Sequence, residues 1–156
     1  MQELVIPHWD QLPELTWKQK IGYLTYRFLK LEQAETPVRH LFEKGVYIRE
    51  MLIPKDTLFL GRAHQHGHEC QLLIGSVLHI SEEGRRQVDA PFAMHTTPGY
   101  HMVLYALTDV VGRTIHPNPE ECRDVQKLED DIFESTEALA LIGQSVHEQL
   151  EHVCLE

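Results

Sequence analysis

The sequence predicts a mainly β protein, an antiparallel sandwich or barrel with an N-terminal helix and C-terminal helices. Two observations predict this class. Eight short β-like runs follow one another between Val38 and His116 with no helix between them, and helical spacing is confined to the two ends of the chain. At 156 residues the chain has the length of one domain. We therefore expect one domain overall, with a helical segment (1–35), a β segment (36–117) and an acidic helical segment (118–156).

The N-terminal helix is predicted over residues 15–31, where apolar side chains recur at helical spacing. These side chains are Leu15, Ile21, Leu24, Phe28 and Leu31. Gly22 lowers the helix propensity of this segment. The Thr36-Pro37 pair ends it, because the residue before a proline is biased away from helical backbone angles.

The β segment consists of runs rich in β-branched, aromatic and aliphatic residues, separated by glycine, proline and acidic turn residues. The runs cover residues 38–42, 45–53, 57–64, 70–75, 76–81, 85–90, 100–107 and 109–116. The proline-containing stretch 91–99 is interpreted as a connection. After Pro117 and Pro119 the pattern becomes helical again, over 124–135 and 135–153.

The net charge of −10 is concentrated at the C-terminus, where residues 117–156 carry 11 acidic and 2 basic residues. The sequence also lacks the clustered lysines and arginines that nucleic-acid binding needs. No apolar run approaches the roughly 20 residues of a membrane span, and no basic-then-apolar leader begins the chain. Cys70, Cys122 and Cys154 are odd in number and far apart, which indicates free thiols and a cytoplasmic protein.

Histidine is the unusual feature of the composition, with 7 of 11 residues between positions 64 and 116. His64, His66 and His68 alternate along one run. On a strand His64 and His66 share a face, about 6.5–7 Å apart, and both rings can reach one ion. Gly67 permits the bend that would bring His68 back to the same ion. Imidazole suits zinc, iron, copper and nickel alike, and a solvated row of histidines is the alternative interpretation.

The stretch from Gly61 to His116 resembles a cupin, a small double-stranded β-helix or jelly roll. The first cupin motif is matched by Gly61, the His64–His66 pair, His68 or Glu69, and Gly75. The second motif, a Pro-Gly turn followed by a strand-borne histidine, is matched by Pro98-Gly99 and His101. The resemblance implies a metal held by histidines inside the β structure.

A closer resemblance is to small single-domain cupin-like proteins of phages and bacteria, mostly of unassigned function, over residues 36–129. The matching motifs are PVRHLF (37–42), GVYIREM (45–51), GRAHQHGH (61–68), DAPF (89–92), PG (98–99), TIHP (114–117) and DVQKLE (124–129). This resemblance implies His64, His68 and His116 as the preferred metal ligands, with His66 and His101 as alternates.

We therefore expect one divalent metal ion (Fe, Zn, Mn or Ni) with open coordination positions for a small-molecule ligand. The sequence leaves oxygenase, hydrolase, lyase and isomerase chemistry open, and it assigns no catalytic residue. The alternative is a non-enzymatic interaction module built on a cupin scaffold, of the kind found in phages. A homodimer is expected, as is a protein partner bound through the acidic C-terminal helices; neither nucleic acid nor a membrane is an expected partner.

Overall fold

The computed structural model describes residues 15–155. The chain divides into two compact units. One comprises the chain up to Gln33, residues 82–84 and the chain from Ser135 onward; the other comprises 34–81 and 85–134. Residues 1–14, which belong to the predicted N-terminal helical segment, lie outside the described residues.

The second unit contains nine β-strands and one helix. The strands are β1 (Val38–Glu43), β2 (Val46–Ile53), β3 (Leu58–Leu60), β4 (Glu69–Ile74), β5 (Ser76–Ser81), β6 (Gly84–Asp89), β7 (Phe92–His95), β8 (Val103–Ala106) and β9 (Val110–Pro117). One sheet has the order β1-β2-β9-β4-β7 and the other the order β3-β8-β5-β6. The predicted mainly β architecture is confirmed.

The strand order is that of a jelly roll. Of the eight strands from β2 to β9, one sheet takes the first, eighth, third and sixth, and the other takes the second, seventh, fourth and fifth. β1 is an addition, joined to the edge of β2 by a tight turn in which Gly45 has a φ of 73°. Within residues 34–134 the strands form two separate sheets, so the jelly roll is a sandwich and not one closed barrel.

Two segments differ from the sequence-based expectation. The stretch 91–99, interpreted as a connection, contains β7, because its residues pair with β4 and place Phe92 and Met94 opposite Leu72 and Cys70. The run 57–64 forms a strand only over Leu58–Leu60, and residues 61–68 lie in a loop.

Helix α2 (Val125–Ile132) belongs to the second unit and packs against the sheet that contains β2. Asp124 is its N-cap, with a carboxylate oxygen that accepts from the Lys127 amide at 3.2 Å. Leu128 and Ile132 on its inner face pack against the fully buried Tyr47 of β2. Helix α2 therefore fixes the residues that follow it, including Phe133, against the sheet.

The helical unit is built from α1 (Trp17–Phe28) and α3 (Glu137–Leu155). Thr16 and Gln19 form a capping box at the start of α1, in which each side chain bonds the backbone of the other residue. The two helices touch at Gly22 and Gly143, where neither residue has room for a Cβ atom. The predicted terminal helices are thus present. No helix among the described residues combines the length and apolar character needed to cross a lipid bilayer.

Candidate functional site

A cavity of about 310 Å³ lies between the two sheets of the β unit. Thirteen of its 27 lining residues have aliphatic, phenyl or thioether side chains: Met51, Ile53, Phe59, Leu60, Leu72, Val77, Val88, Phe92, Met94, Met102, Leu104, Val110 and Phe133. A mainly apolar concave site with a few polar groups is typical of a small-molecule pocket.

The polar groups are concentrated at one end of the cavity, because the inward-facing residues of each strand are polar at that end and apolar at the other. From that end, alternate residues of β2 are Tyr47, Arg49, Met51 and Ile53. Their cross-strand partners on β9 are His116, Thr114, Gly112 and Val110. β4 continues the layers with Cys70 opposite Thr114 and Leu72 opposite Gly112. The strand register therefore gives the cavity a polar end and an apolar end.

Three histidine rings meet at the polar end: His64 and His68 line the cavity, and His116 packs against both of them without lining it. The centroids of His64 and His68 are 3.7 Å apart, those of His64 and His116 are 5.3 Å apart, and those of His68 and His116 are 5.1 Å apart. His68 and His116 are 4% and 5% exposed. His64 lies on the loop before β4 and forms an isolated bridge with Phe133, the residue after α2, and the two rings pack at 4.9 Å.

Burial keeps these imidazoles neutral. Burial, reinforced by the neighbouring His68 and His116, lowers the pKa of His64 to about 3. Burial and the nearby His68 lower the pKa of His116 to about 3, and burial also lowers the pKa of His68. Neutral imidazole is the form in which histidine binds a metal ion.

Polar groups surround the rings of His68 and His64. The Thr96 hydroxyl lies 3.2 Å from the His68 carbonyl oxygen and 2.9 Å from Nδ1 of the His68 ring. Nε2 of His68 faces the Cys70 Sγ atom at 3.1 Å. His64 is hydrogen-bonded to the backbone of Arg62, and its Nε2 atom is buried without a partner.

A cation and an aromatic ring border the histidine cluster. Arg49 of β2 donates to Glu129 of α2 at 2.8 Å and to the Tyr47 hydroxyl at 3.3 Å. Its guanidinium carbon lies 4.9 Å from the ring centroid of Phe133. The Tyr47 hydroxyl in turn lies 2.7 Å from Nδ1 of His40 on β1. This network ties the helix to the sheet beside the three rings.

The donor set fits a metal ion in type and partly in spacing. With ring nitrogens about 2.0–2.1 Å from a tetrahedral ion, imidazole centroids lie about 5 Å apart, which matches the two distances to His116. The 3.7 Å between His64 and His68 is shorter, so these two rings have to separate to share an ion. Accordingly, no three His, Cys, Asp or Glu side chains of the described residues already surround a common ion position.

The other two histidines predicted as alternates lie apart from this cluster. His66 is exposed on the loop between His64 and His68, because residues 61–68 do not form the straight strand that would align their faces. His101 is partly buried, and its Nδ1 atom lies 3.4 Å from the Gly61 carbonyl oxygen. Neither side chain lines the cavity. The structure thus groups His64, His68 and His116, while their role as ligands stays a prediction.

Several cavity residues carry no functional signal in the sequence. His79 and Tyr100 both line the cavity and are hydrogen-bonded at 2.6 Å, yet each stands alone in its own run. Glu129 and Phe133 come from the acidic C-terminal segment, for which the charge pattern predicts partner binding. Arg49 is a candidate lining residue only because of its alternation along β2.

Comparisons with known proteins find only solved structures of low sequence identity. No protein-family model matches the chain, and no curated protein matches it. A cupin domain from Bordetella pertussis Tohama I is similar in structure, with 15% identity, a TM-score of 0.43, and coverage of 56% of this chain and 97% of that one. An RmlC-like cupin protein from Methanocaldococcus jannaschii has 8% identity, a TM-score of 0.44 and coverage of 57% and 86%. An acetylacetone dioxygenase from Acinetobacter johnsonii has 13% identity, a TM-score of 0.45 and coverage of 55% and 61%.

At these TM-scores the similarities carry no argument, and the strand order itself shows the jelly roll. The jelly-roll fold that the cupin resemblance implies is confirmed. The resemblance to phage proteins, the three-segment division of the chain, the homodimer and the protein partner of the acidic helices stay predictions.

Proposed function

We propose that the protein is a metal-binding cupin in which His64, His68 and His116 hold one divalent ion beside a small-molecule cavity. The convergence of three neutral imidazoles at the polar end of the cavity supports this proposal. The ring orientation supports it as well. His64 and His68 each engage one ring nitrogen with a carbonyl or hydroxyl group, which is how metal-binding histidines are usually held.

One observation carries the proposal: the Nε2 atom of His64 is buried and has no hydrogen-bond partner. A buried polar atom without a partner costs about 1–3 kcal/mol, so folded proteins seldom leave one without a reason. An ion bound by this nitrogen would supply the partner that no described side chain provides. The His64 ring that carries this nitrogen lies 3.7 Å from the His68 ring, so the two rings would share an ion once they separate to about 5 Å.

A bound divalent ion would supply a Lewis acid that polarises a ligand oxygen or lowers the pKa of a water molecule. The chain's own residues define the surroundings of that chemistry. Thr96 orients His68, the Arg49–Glu129 pair sets a fixed dipole beside the cluster, and Phe133 shields His64 from solvent. Of the four ions expected from the sequence, iron, zinc and nickel suit imidazole ligands, whereas manganese prefers oxygen ligands. An ion held in this way could serve oxygenase, hydrolase, lyase or isomerase chemistry.

Metal content tests the proposal. Untagged protein is purified from rich medium and analysed by inductively coupled plasma mass spectrometry. We expect about one divalent ion per chain, and near zero in His64→Ala, His68→Ala and His116→Ala. His66→Ala is the matched control, since His66 lies on the same loop but is exposed. Equal metal content in all four variants, or none in the wild type even after incubation with each metal, contradicts the proposal.

A further inference from the structure

A second polar pair faces the cavity from the sheet opposite the histidine cluster. His79 of β5 lies with its Nε2 atom 2.6 Å from the Tyr100 hydroxyl, and both residues line the cavity. Burial, and then the nearby Cys70, raises the pKa of Tyr100, so the phenol stays protonated. His79 and Tyr100 therefore line the same cavity as His68, but they are not part of the cluster of His64, His68 and His116.

In the metal-free protein, the interior of the cavity offers no unpaired charge to a ligand. Of the three arginines among the lining residues, Arg49 pairs with Glu129 at 2.8 Å, and Arg113 pairs with Glu50 at 2.6 Å on the opposite face of β9 from Thr114. Arg62 is exposed to solvent and donates to the Glu134 carbonyl at 3.0 Å. Binding a carboxylate inside the cavity would compete with Glu129 for Arg49, which is costly away from water.

We propose that the cavity binds a small, uncharged, mainly apolar molecule bearing one oxygen atom, which the Tyr100 hydroxyl, held by His79, hydrogen-bonds. This inference rests on the small-molecule cavity of the proposed function and names its ligand class. The apolar body of the ligand lies against the Met51, Leu72 and Val110 layers. A phenol both donates and accepts, so it recognises a hydroxyl group on the ligand whichever way the His79–Tyr100 bond is polarised.

The apolar lining supplies the affinity and the phenol supplies the selectivity. Burying hydrocarbon contributes about 25 cal/mol per Å² and does not distinguish between ligands of equal size. The phenol distinguishes them, because a ligand without an oxygen leaves Tyr100 with one partner fewer. In the metal-free protein, a charged ligand loses its hydration and finds no unpaired opposite charge inside the cavity.

The test uses three probes of nearly equal shape: 1-phenylethanol, ethylbenzene and benzoate. Each is titrated into ¹⁵N-labelled protein that has been stripped with EDTA, and binding is followed by amide chemical shifts. We expect 1-phenylethanol to bind more tightly than ethylbenzene or benzoate. Tyr100→Phe should weaken 1-phenylethanol about two- to tenfold and leave ethylbenzene unchanged, because it removes one hydrogen bond only.

Two further variants complete the design. Tyr105→Phe is the matched control, because its hydroxyl donates to Asp56 at 3.1 Å outside the cavity lining, so all three affinities should stay as in the wild type. His79→Leu should reproduce part of the Tyr100→Phe effect, which covers the case in which the tyrosine variant does not fold. The amide spectrum of each variant shows whether that variant is folded.

Three results overturn the inference: benzoate as the tightest probe, 1-phenylethanol binding that neither Tyr100→Phe nor His79→Leu weakens, or no binding of 1-phenylethanol to the wild type. The measurement is independent of the metal proposal, because the protein is free of metal. Binding through Tyr100 together with zero metal uptake supports the ligand class and refutes the metal site. Metal uptake without probe binding supports the metal site and refutes the ligand class.

Discussion

The hydroxyl oxygen of Thr96 lies 2.9 Å from Nδ1 of His68, and both groups are buried. Thr96 also accepts from the His68 amide at 3.3 Å and donates to the His68 carbonyl, so one side chain fixes the backbone and the ring of this histidine. The contact joins the residue after β7 to the residue before β4. It holds the His68 ring in place through Nδ1.

Thr96→Val is therefore expected to weaken metal binding about 10- to 100-fold, because the ring of His68 loses the partner that orients it. Affinity is measured by titrating zinc against a chromophoric chelator. Thr97→Val is the control, since Thr97 is the exposed neighbour. If both variants bind zinc as the wild type does, Thr96 does not act through His68.

Glu129→Gln is expected to destabilise the protein by about 1–3 kcal/mol, because it leaves the Arg49 guanidinium, whose side chain is 13% exposed, without its counter-charge. Arg49→Met combined with Glu129→Leu should recover part of this loss, since neither charge is then present. Urea denaturation measures the free energy of unfolding. Asp131→Asn, an exposed position on the same helix, should change it by less than about 0.5 kcal/mol. Equal effects of Glu129→Gln and Asp131→Asn would show that the ion pair does not stabilise the fold.

A glycine-to-alanine change in a helix usually stabilises it, yet Gly143→Ala is expected to destabilise the helical unit by about 1–3 kcal/mol. A Cβ atom at this position would overlap the Gly22 carbonyl group and crowd the Tyr26 Cβ atom. Thermal unfolding followed by circular dichroism shows whether Gly143→Ala lowers or raises the temperature at which the helical signal is lost. Leu141→Ala serves as the control, because the Leu141 side chain is 68% exposed. A stabilised Gly143→Ala protein would show that α1 and α3 do not cross at this position.

His79 is expected to make stability depend on pH. Burial, and then the charge of Arg86, lowers its pKa in the folded protein below the ordinary value of 6.5. The unfolded chain therefore binds this proton more readily, and the free energy of unfolding falls as the pH decreases below about 6.5. In EDTA-treated His79→Gln protein this decline should be shallower by up to about 1.4 kcal/mol per pH unit. An unchanged slope in His79→Gln contradicts the prediction.

The strands and helices are predictable from the sequence where one physical signal dominates. Alternation along VYIREMLI and VVGRTIHP predicts β2 and β9, and helical periodicity predicts α1 and α3. β7 is missed because Pro91 and Pro98 flank four residues whose strand character comes only from pairing with β4. Pairing between distant segments leaves no local pattern for a sequence to show.

Only the part of the candidate site that leaves a local motif in the sequence is predictable. Spacing along a strand favours His64 with His66, but the segment is a loop, so the rings that meet are those of His64 and His68. His116 reaches them through its register with Tyr47 on β2, a relationship that only the motif resemblance indicates. The His79–Tyr100 pair, 21 positions apart, depends on the packing of the opposite sheet.

The metal site is tested most sharply by an anomalous-difference map from crystals soaked in zinc chloride, with data collected on both sides of the zinc absorption edge. We expect one strong peak bounded by the imidazole rings of His64, His68 and His116, with the first two rings farther apart than 3.7 Å. A peak bound elsewhere on the chain, or no peak among these three rings at full soaking, would refute the site.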